Sequence, residues 1–295
     1  MKLEYLVKDN NKYVTVKDII ISHFHISKRL LSTLKNTDSI YLNNFSAMVN
    51  DEVHIGDILT LSFDYEEDNL NIVPTYMDLD IIYEDDWYII INKPAGIPVH
   101  PSASHYDDTI SNGIRYYFNS IGLKKKTRPV NRIDSNTSGI VIFAKNEYIQ
   151  EMLIKQMANK TFYKEYIAIV EGILDDKKGT INKPIARKEH SIIERCIDEN
   201  GAKSITHYEV LEEKETNNNL PISIVKCILE TGRTHQIRVH MSSIGHPIIG
   251  DNLYGSTIDF PMGHALHSYK VEFIHPIKNE KVSYTSKNTL LEIMS

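Results

Sequence analysis

The stretch that decides the fold is Asn131-Arg132-Ile133-Asp134-Ser135-Asn136-Thr137-Ser138-Gly139, followed by the apolar run Ile140-Val141-Ile142-Phe143-Ala144-Lys145. The first part is polar and turn-forming, and the second is rich in β-branched residues, which predicts a buried strand. A carboxylate at position 134 would then stand directly before a rigid element, at a sheet edge that a reacting group can reach. Taken alone, the stretch favours the plainer interpretation, a turn in which Asp134 and Ser135 bond only to backbone.

Length and composition limit the class of protein. The chain has 295 residues, of which 41% are hydrophobic and 24% charged, so it can bury a large core in one large domain or two unequal ones. Cys196 and Cys227 cannot form a disulfide framework or a paired-cysteine zinc site, and we expect a reducing, cytoplasmic setting. Residues 1–20 lack the apolar core of a signal peptide, and no window resembles a membrane span, so we expect no export and no membrane partner.

The segments around the central stretch predict an α+β domain. Helices are predicted at about 109–119, 146–158 and 234–244. Strand-like segments, rich in β-branched and aromatic residues, are Trp87–Ile91, Gly139–Phe143, Phe162–Val170, Ser204–Val210, Ser223–Leu229 and Val271–Ile274. Because helices and strands do not alternate strictly, the pattern favours a mixed, largely antiparallel central sheet flanked by helices over a doubly wound sheet.

Residues 1–70 form a small unit of their own in this interpretation. Thr15 with Asp18 predicts a capped helix start, and Ser27 predicts the start of a second helix over 28–35. Two short strands should follow, which gives an αα-β unit. Acids are dense over 64–80, and we place an acidic linker at 71–80 and the larger domain at 81–295.

Several familiar catalytic signatures are absent from the sequence. It contains no HExxH and no G-x-S-x-G, and Gly201-Ala202-Lys203-Ser204 lacks both the adjacent Gly-Lys and the upstream glycine of a phosphate-binding loop. The spacing of His235, His240 and His246 matches no metal site, so we expect no metal. A hydrolase that uses Ser138 with a histidine would lack a nucleophile elbow, and this interpretation is disfavoured.

Three further segments are read together with residues 131–139. They are Asn92-Lys93-Pro94-Ala95-Gly96-Ile97-Pro98-Val99-His100-Pro101, Tyr163-Lys164-Glu165-Tyr166-Ile167-Ala168-Ile169-Val170-Glu171-Gly172, and Thr231-Gly232-Arg233-Thr234-His235-Gln236-Ile237-Arg238-Val239-His240 with Gly245-His246-Pro247-Ile248-Ile249-Gly250-Asp251. Together the four ordered segments resemble the RluA family of pseudouridine synthases. Residues 131–139 match the family's His-Arg-Leu-Asp-x-x-Thr-Ser-Gly signature, with Asn131 where the family usually has His. A stretch at 201–208 also resembles the family.

The resemblance implies an isomerase that converts a uridine in RNA to pseudouridine without a cofactor. It implies Asp134 as the catalytic carboxylate, either as nucleophile at the anomeric carbon or as base at the adjacent sugar carbon. Arg238 matches the arginine that keeps this carboxylate ionised, and Arg233 is the competing candidate. Tyr166 matches the tyrosine that stacks on the target base and is a candidate to help remove the proton from C5. Since side chains alternate along a strand, Tyr163 should point to the other face.

The resemblance implies RNA as the partner. The target uridine must leave its base stack in the RNA to reach Asp134. Arg132 is expected either to fill the vacated space or to stack on a neighbouring base. The resemblance of residues 1–70 to an S-four-type RNA-binding domain favours large-subunit ribosomal RNA, with transfer RNA as the alternative. The other candidate RNA-binding residues are Arg233, His235, Lys28, Arg29, Lys124, Lys125 and Arg128. The alternative function is a catalytically silent RNA-binding or ribosome assembly factor of the same fold. No interface signature is evident, so we expect a monomer.

Overall fold

The computed structural model describes residues 1–8, 12–216, 219–288 and 290, so the ends of the expected 81–295 domain at 289 and 291–295 lie outside it. The chain begins with a four-stranded antiparallel sheet of order β1-β4-β2-β3 and two helices. Its elements are β1 (Lys2–Leu6), α1 (Val16–Ser22), α2 (Lys28–Asn36), β2 (Ile40–Leu42), β3 (Phe45–Ser46) and β4 (Ile58–Ser62).

Side-chain caps set where both N-terminal helices begin, as the sequence predicted. Thr15 and Asp18 form a capping box at α1, and the Ser27 hydroxyl accepts a hydrogen bond of 3.1 Å from the Leu30 amide at α2. The predicted αα-β order was incomplete, because β1 precedes the helices and pairs with β4. Only Leu3 is buried in that strand, so its alternation is too weak to stand out in the sequence.

The rest of the chain builds a large, mostly antiparallel sheet, which confirms the α+β class. Its order is β10-β13-β14-β9-β15-β8-β6-β5, with β16 on β15 and β7 on β8, and β15 with β8 is its parallel pair. Its strands are β5 (Ile81–Glu84), β6 (Tyr88–Lys93), β7 (Arg128–Pro129), β8 (Ser138–Ala144), β9 (Tyr163–Glu171), β10 (Lys178–Asn182), β13 (Ile205–Glu215), β14 (Pro221–Leu229), β15 (Leu266–Ile274) and β16 (Lys281–Thr285).

Helices cover this sheet, and a hairpin stands beside it. The helices are α3 (Ile110–Ser120), α4 (Glu147–Ala158) and α5 (Gln236–Ser242), and a short 3₁₀ helix covers Asn252–Tyr254. The hairpin pairs β11 (Ile185–Arg187) with β12 (Arg195–Ile197). The predicted helix at 234–244 is shorter than expected, because the residue before it, His235, has a left-handed backbone with φ 58°. None of the helices in the described part of the chain has the length and apolar character of a membrane span.

Strand β8 lies inside the larger unit and is buried along its whole length. Ile140 and Ile142 pack into one apolar cluster, while Val141 and Phe143 pack into another on the opposite face. This burial on both faces explains why the strand is continuously apolar instead of alternating. The segment before β8 is therefore anchored to a rigid element.

The N-terminal unit packs directly on the larger unit. Phe63 stacks on Tyr148 of α4 with 5.8 Å between ring centroids, and the Ser27 hydroxyl donates a hydrogen bond of 2.6 Å to Glu151. Apolar residues of both units belong to one buried cluster. The irregular segment at 71–80 lies against α3, since the Asn112 side chain donates to the Val73 carbonyl at 2.8 Å.

Candidate active site

Asp134 lies in the loop between β7 and β8, held from two sides. Gly139 at the start of β8 has φ 103°, and a Cβ there would stand 2.3 Å from the Ser268 carbonyl oxygen, so only glycine allows this close approach to β15. The Asn131 side chain takes the place of a backbone partner for β8 just before the loop. Its Nδ2 donates to the Ile140 carbonyl at 3.0 Å, and its Oδ1 accepts from the Ile142 backbone amide at 2.9 Å. Asn131, which stands where the family usually has His, therefore has a structural role.

Lys93 fixes the same loop from behind. Its ammonium is fully buried and donates three hydrogen bonds, at 2.8, 2.7 and 2.7 Å, to the carbonyls of Pro94, Ile97 and Ser135. Burial lowers the pKa of Lys93 to about 7, and the charge of Asp134 opposes this shift. Three carbonyl acceptors match the three donors of an ammonium, which ties the 94–97 loop to the Asp134 loop.

Arg238 joins Asp134 to a second carboxylate. Its Nη1 donates to Asp134 Oδ2 at 2.8 Å, while Nε and Nη2 donate to the two oxygens of Asp251 at 2.7 and 2.8 Å. Burial alone would lower the pKa of Arg238, but the hydrogen bonds and charge of Asp251, with a further contribution from Asp134, raise it. The guanidinium is thus a permanent cation in fixed orientation beside Asp134.

His235 and Tyr254 complete the surroundings of this pair. His235 Nε2 lies 3.7 Å from Asp134 Oδ2, and its Nδ1 lies 2.7 Å from the Tyr254 hydroxyl. The Tyr254 ring also lies beneath the guanidinium of Arg238, with 4.9 Å from Cζ to the ring centroid. Burial lowers the pKa of His235, which favours the neutral imidazole. His235 therefore lies in the carboxylate site itself.

Tyr166 lines the pocket above Asp134, and its neighbour in sequence does not. Tyr166 lies on β9, and Lys164 shares its face of the strand and lines the same cleft. Tyr163 points away and donates a hydrogen bond of 2.6 Å to Glu165. Burial raises the pKa of Tyr166 to about 12, so the phenol is neutral at physiological pH.

The site is an open cleft. A pocket with an empty volume of about 360 Å³ has Asp134, Tyr166 and Arg238 in its wall. It merges with a wider groove of about 1400 Å³, open solvent included, and four cationic residues line this groove. These cations are Arg132, Lys164, Arg195 and Arg233. Among the described residues that line the groove, Asp134 is the single acid beside these four cations. The lining therefore carries a net positive charge and suits a polyanion.

Most of the predicted RNA-binding residues divide into two groups. Arg132 and Arg233 are exposed at the groove, and Lys28 and Arg29 are exposed on α2. A further three are engaged by acids: Lys124 pairs with Glu66 at 2.7 Å, while Arg128 and Lys125 are buried beside Glu67. The eighth, His235, lies 3.7 Å from Asp134 and belongs to neither group. Arg128 also lies 3.3 Å from Glu147. Burial against these acids leaves Lys125 and Arg128 no surface for RNA, so the prediction for this pair was wrong.

Ser138 does have a histidine neighbour, but the pair is sealed in the core. Its hydroxyl lies 2.8 Å from His267 Nδ1, and His267 Nε2 lies 2.7 Å from the Ser286 hydroxyl. All three side chains are buried. A substrate cannot reach this serine, so the arrangement offers no support for a hydrolase. Within the described ranges, no group of three or more His, Cys, Asp or Glu could hold a metal ion.

Three contributors to the site were not predicted from sequence: Asp251, Tyr254 and Lys93. Asp251 follows the buried pair Ile248 and Ile249 and is only 2% exposed. A carboxylate directly after a buried apolar run, in a segment near Arg238, was an available signal for an ion pair. Tyr254 and Lys93 gave no such signal, because their roles depend on contacts made only in the folded chain.

Fold and site together define an RNA pseudouridine synthase. Residues 87–243 match the family model described as RNA pseudouridylate synthase, so the chain belongs to that family. It is 37% identical over 280 residues to an uncharacterized RNA pseudouridine synthase of Bacillus subtilis, YhcT, covering 95% of this chain and 91% of that one.

Two further relatives support this assignment. The ribosomal large subunit pseudouridine synthase D of Neisseria meningitidis is 35% identical over 270 residues, covering 87% of this chain and 70% of that protein. The solved structure of human RNA pseudouridylate synthase domain containing 1 superposes with a TM-score of 0.61 at 27% identity, over 72% of this chain and 84% of the human one. The RluA-type resemblance is confirmed, and the protein is an isomerase.

Proposed function

We propose that Asp134 is the catalytic carboxylate and acts on a uridine that has left its stack in the RNA. The observation that carries this proposal is the 2.8 Å bond from Arg238 to Asp134 in the wall of an open cationic cleft. A buried guanidinium held by Asp251 places a permanent positive charge beside the Asp134 carboxylate before any substrate arrives.

The reaction breaks the bond from N1 of uracil to the anomeric carbon and forms a bond from C5 to the same carbon. The proton on C5 is released to water, and N1 takes up a proton from water. The product therefore has the same atomic composition as the uridine. Asp134 assists either by attacking the anomeric carbon or by removing the proton from the adjacent sugar carbon. The Tyr166 ring stacks on the base and keeps it in the pocket, and its hydroxyl stays protonated.

The substrate we propose is large-subunit ribosomal RNA. The Neisseria meningitidis relative carries that substrate in its name, and it is similar to 87% of this chain. We further propose that residues 1–70 form an S-four-type RNA-binding domain, joined through 71–80 to a catalytic domain at 81–295. Lys28 and Arg29, exposed on α2, are its RNA contacts, and Arg132 and Arg233 are those of the groove.

Pseudouridine maps test both parts of this proposal. Ribosomal and transfer RNA are mapped from cells with the intact gene, without it, and with Asp134→Asn. We expect at least one site in large-subunit ribosomal RNA to disappear in both altered strains, with transfer RNA unchanged. Loss of a transfer RNA site instead would make the substrate assignment wrong. A full set of sites in the Asp134→Asn strain would make the role of Asp134 wrong.

A further inference from the structure

Lys164 is a half-buried lysine in the groove, and no ion pair within the described part of the chain joins it to an acid. Glu165, next in sequence, points to the other face and accepts from Tyr163 at 2.6 Å. Glu230 lies 2.7 Å from Lys160 and 2.8 Å from His207. Burial is the cause that lowers the pKa of Lys164, with no opposing carboxylate in the described part of the chain. An ammonium without an anion in a partly desolvated position is a place where an incoming anion is stabilised.

Gly232 supplies the space that this ammonium occupies. A Cβ on Gly232 would lie 3.2 Å from Lys164 Nζ, tighter than ordinary van der Waals contact. The same loop carries Arg233 and leads into α5, which holds Arg238. The glycine thus lets a cation from β9 lie against the loop that ends at the catalytic pair.

Lys164 and Tyr166 are two residues apart on one face of β9, about 7 Å along the strand. Both line the groove that continues from the pocket of Asp134. A nucleotide whose base lies on Tyr166 therefore has its backbone within reach of the Lys164 ammonium.

We propose that Lys164 binds a backbone phosphate of the RNA next to the target uridine, in the space left open by Gly232. This proposal rests on the proposed function and extends it to a phosphate subsite. A lysine binds phosphate as a compact point charge, so the subsite recognises the backbone and carries no sequence information. In the competing outcome, the lysine stem only covers apolar surface of the groove, and its charge is unimportant.

The test compares Lys164→Gln, Lys164→Arg and Lys160→Gln, each in the Asp134→Asn background to prevent turnover. Lys160 is a matched control, because it is an exposed lysine four positions away that already pairs with Glu230. Binding to a large-subunit ribosomal RNA transcript is measured at several salt concentrations. We expect Lys164→Gln to weaken binding about tenfold and to lower the salt slope by roughly 0.7 to 0.9, one phosphate contact. Lys164→Arg should keep the slope, and Lys160→Gln should change it little.

Gly232→Ala tests the subsite without altering the lysine. We expect it to weaken binding about threefold, and to have a smaller effect when combined with Lys164→Gln, since both changes remove one contact. Strictly additive effects, or a Lys164→Gln protein with the parental affinity and salt slope, would overturn the proposal. If the unsubstituted protein releases no tritium from RNA labelled at C5 of uridine, the proposed function fails. If it releases tritium but Lys164→Gln has the salt slope of its parent, only the Lys164 subsite fails.

Discussion

The Asp251 carboxylate accepts two hydrogen bonds from the Arg238 guanidinium, at 2.7 and 2.8 Å, on the side facing away from Asp134. Asp251 is almost fully buried and does not line the pocket. It fixes the plane of the guanidinium, so that the remaining arm points at Asp134. We infer that Asp251 is a positioning residue behind Arg238 and the proposed catalytic carboxylate, Asp134.

Asp251→Asn should slow the reaction while leaving RNA binding intact. The amide offers one acceptor where two are needed and places a donor against the guanidinium. We expect kcat to fall on the order of 10²-fold, with KM within about twofold. Initial rates of tritium release from RNA labelled at C5 of uridine, taken over a range of RNA concentrations, measure kcat and KM. Asp259→Asn, at an exposed acid, is the control. A large rise in KM with unchanged kcat would contradict a positioning role.

Arg238→Lys should lose most of its turnover, although the substitution keeps the positive charge. An ammonium cannot donate to Asp134 and to both oxygens of Asp251 in one plane. We expect a loss of about 10²-fold in kcat, and a smaller effect from Arg233→Lys, which should act on RNA affinity. Near-normal turnover of Arg238→Lys would show that charge alone is enough.

Stability should rise with pH between about 4 and 6.5. Burial lowers the pKa of His264 and of His267 to about 4, below the unfolded value of 6.5. In that window the unfolded state binds more protons than the native state, so the native state loses stability as the pH falls. Each histidine contributes up to about 3 kcal/mol to this change.

Melting temperatures across this pH range check the two histidines. His267→Gln keeps hydrogen-bonding groups near Ser138 and Ser286 but does not titrate, so it should flatten the profile. His54→Gln, at a side chain that is 70% exposed, should leave the profile unchanged. A His267→Gln profile as steep as that of the unsubstituted protein would contradict the account.

The Tyr166 hydroxyl should add no ionisation to the rate profile below about pH 10, because burial raises the pKa of Tyr166 to about 12. Tyr166→Phe keeps the stacking ring, so RNA affinity should stay within about twofold, while Tyr166→Ala should lose about 1 to 3 kcal/mol of binding. Rates of label release from pH 6 to 10 are the measurement. A limb near neutral pH that disappears in Tyr166→Phe would show that the phenol titrates there.

The sequence predicted well those parts of the protein whose signals are local. The run at 140–144 is apolar enough to predict a strand buried on both faces, and Thr15 and Ser27 mark the helix starts correctly. The ion pair of Asp134 with Arg238 was expected from family resemblance, since 104 positions separate the two residues.

The failures share one physical cause. Arg128 was predicted to bind RNA, but its acid partner Glu67 lies 61 positions earlier. Net charge over a window does not reveal which acids the fold will bring to it. The same limit hid the two bonds from Arg238 to Asp251, which form only when α5 and the loop after Ile249 meet.

Release of tritium from RNA labelled at C5 of uridine tests the central claim most directly. The unsubstituted protein should release label from large-subunit ribosomal RNA, and Asp134→Asn should release on the order of 10³-fold less while it binds that RNA normally. Equal release by both proteins would mean that another group performs the chemistry, and the assignment of Asp134 would be wrong.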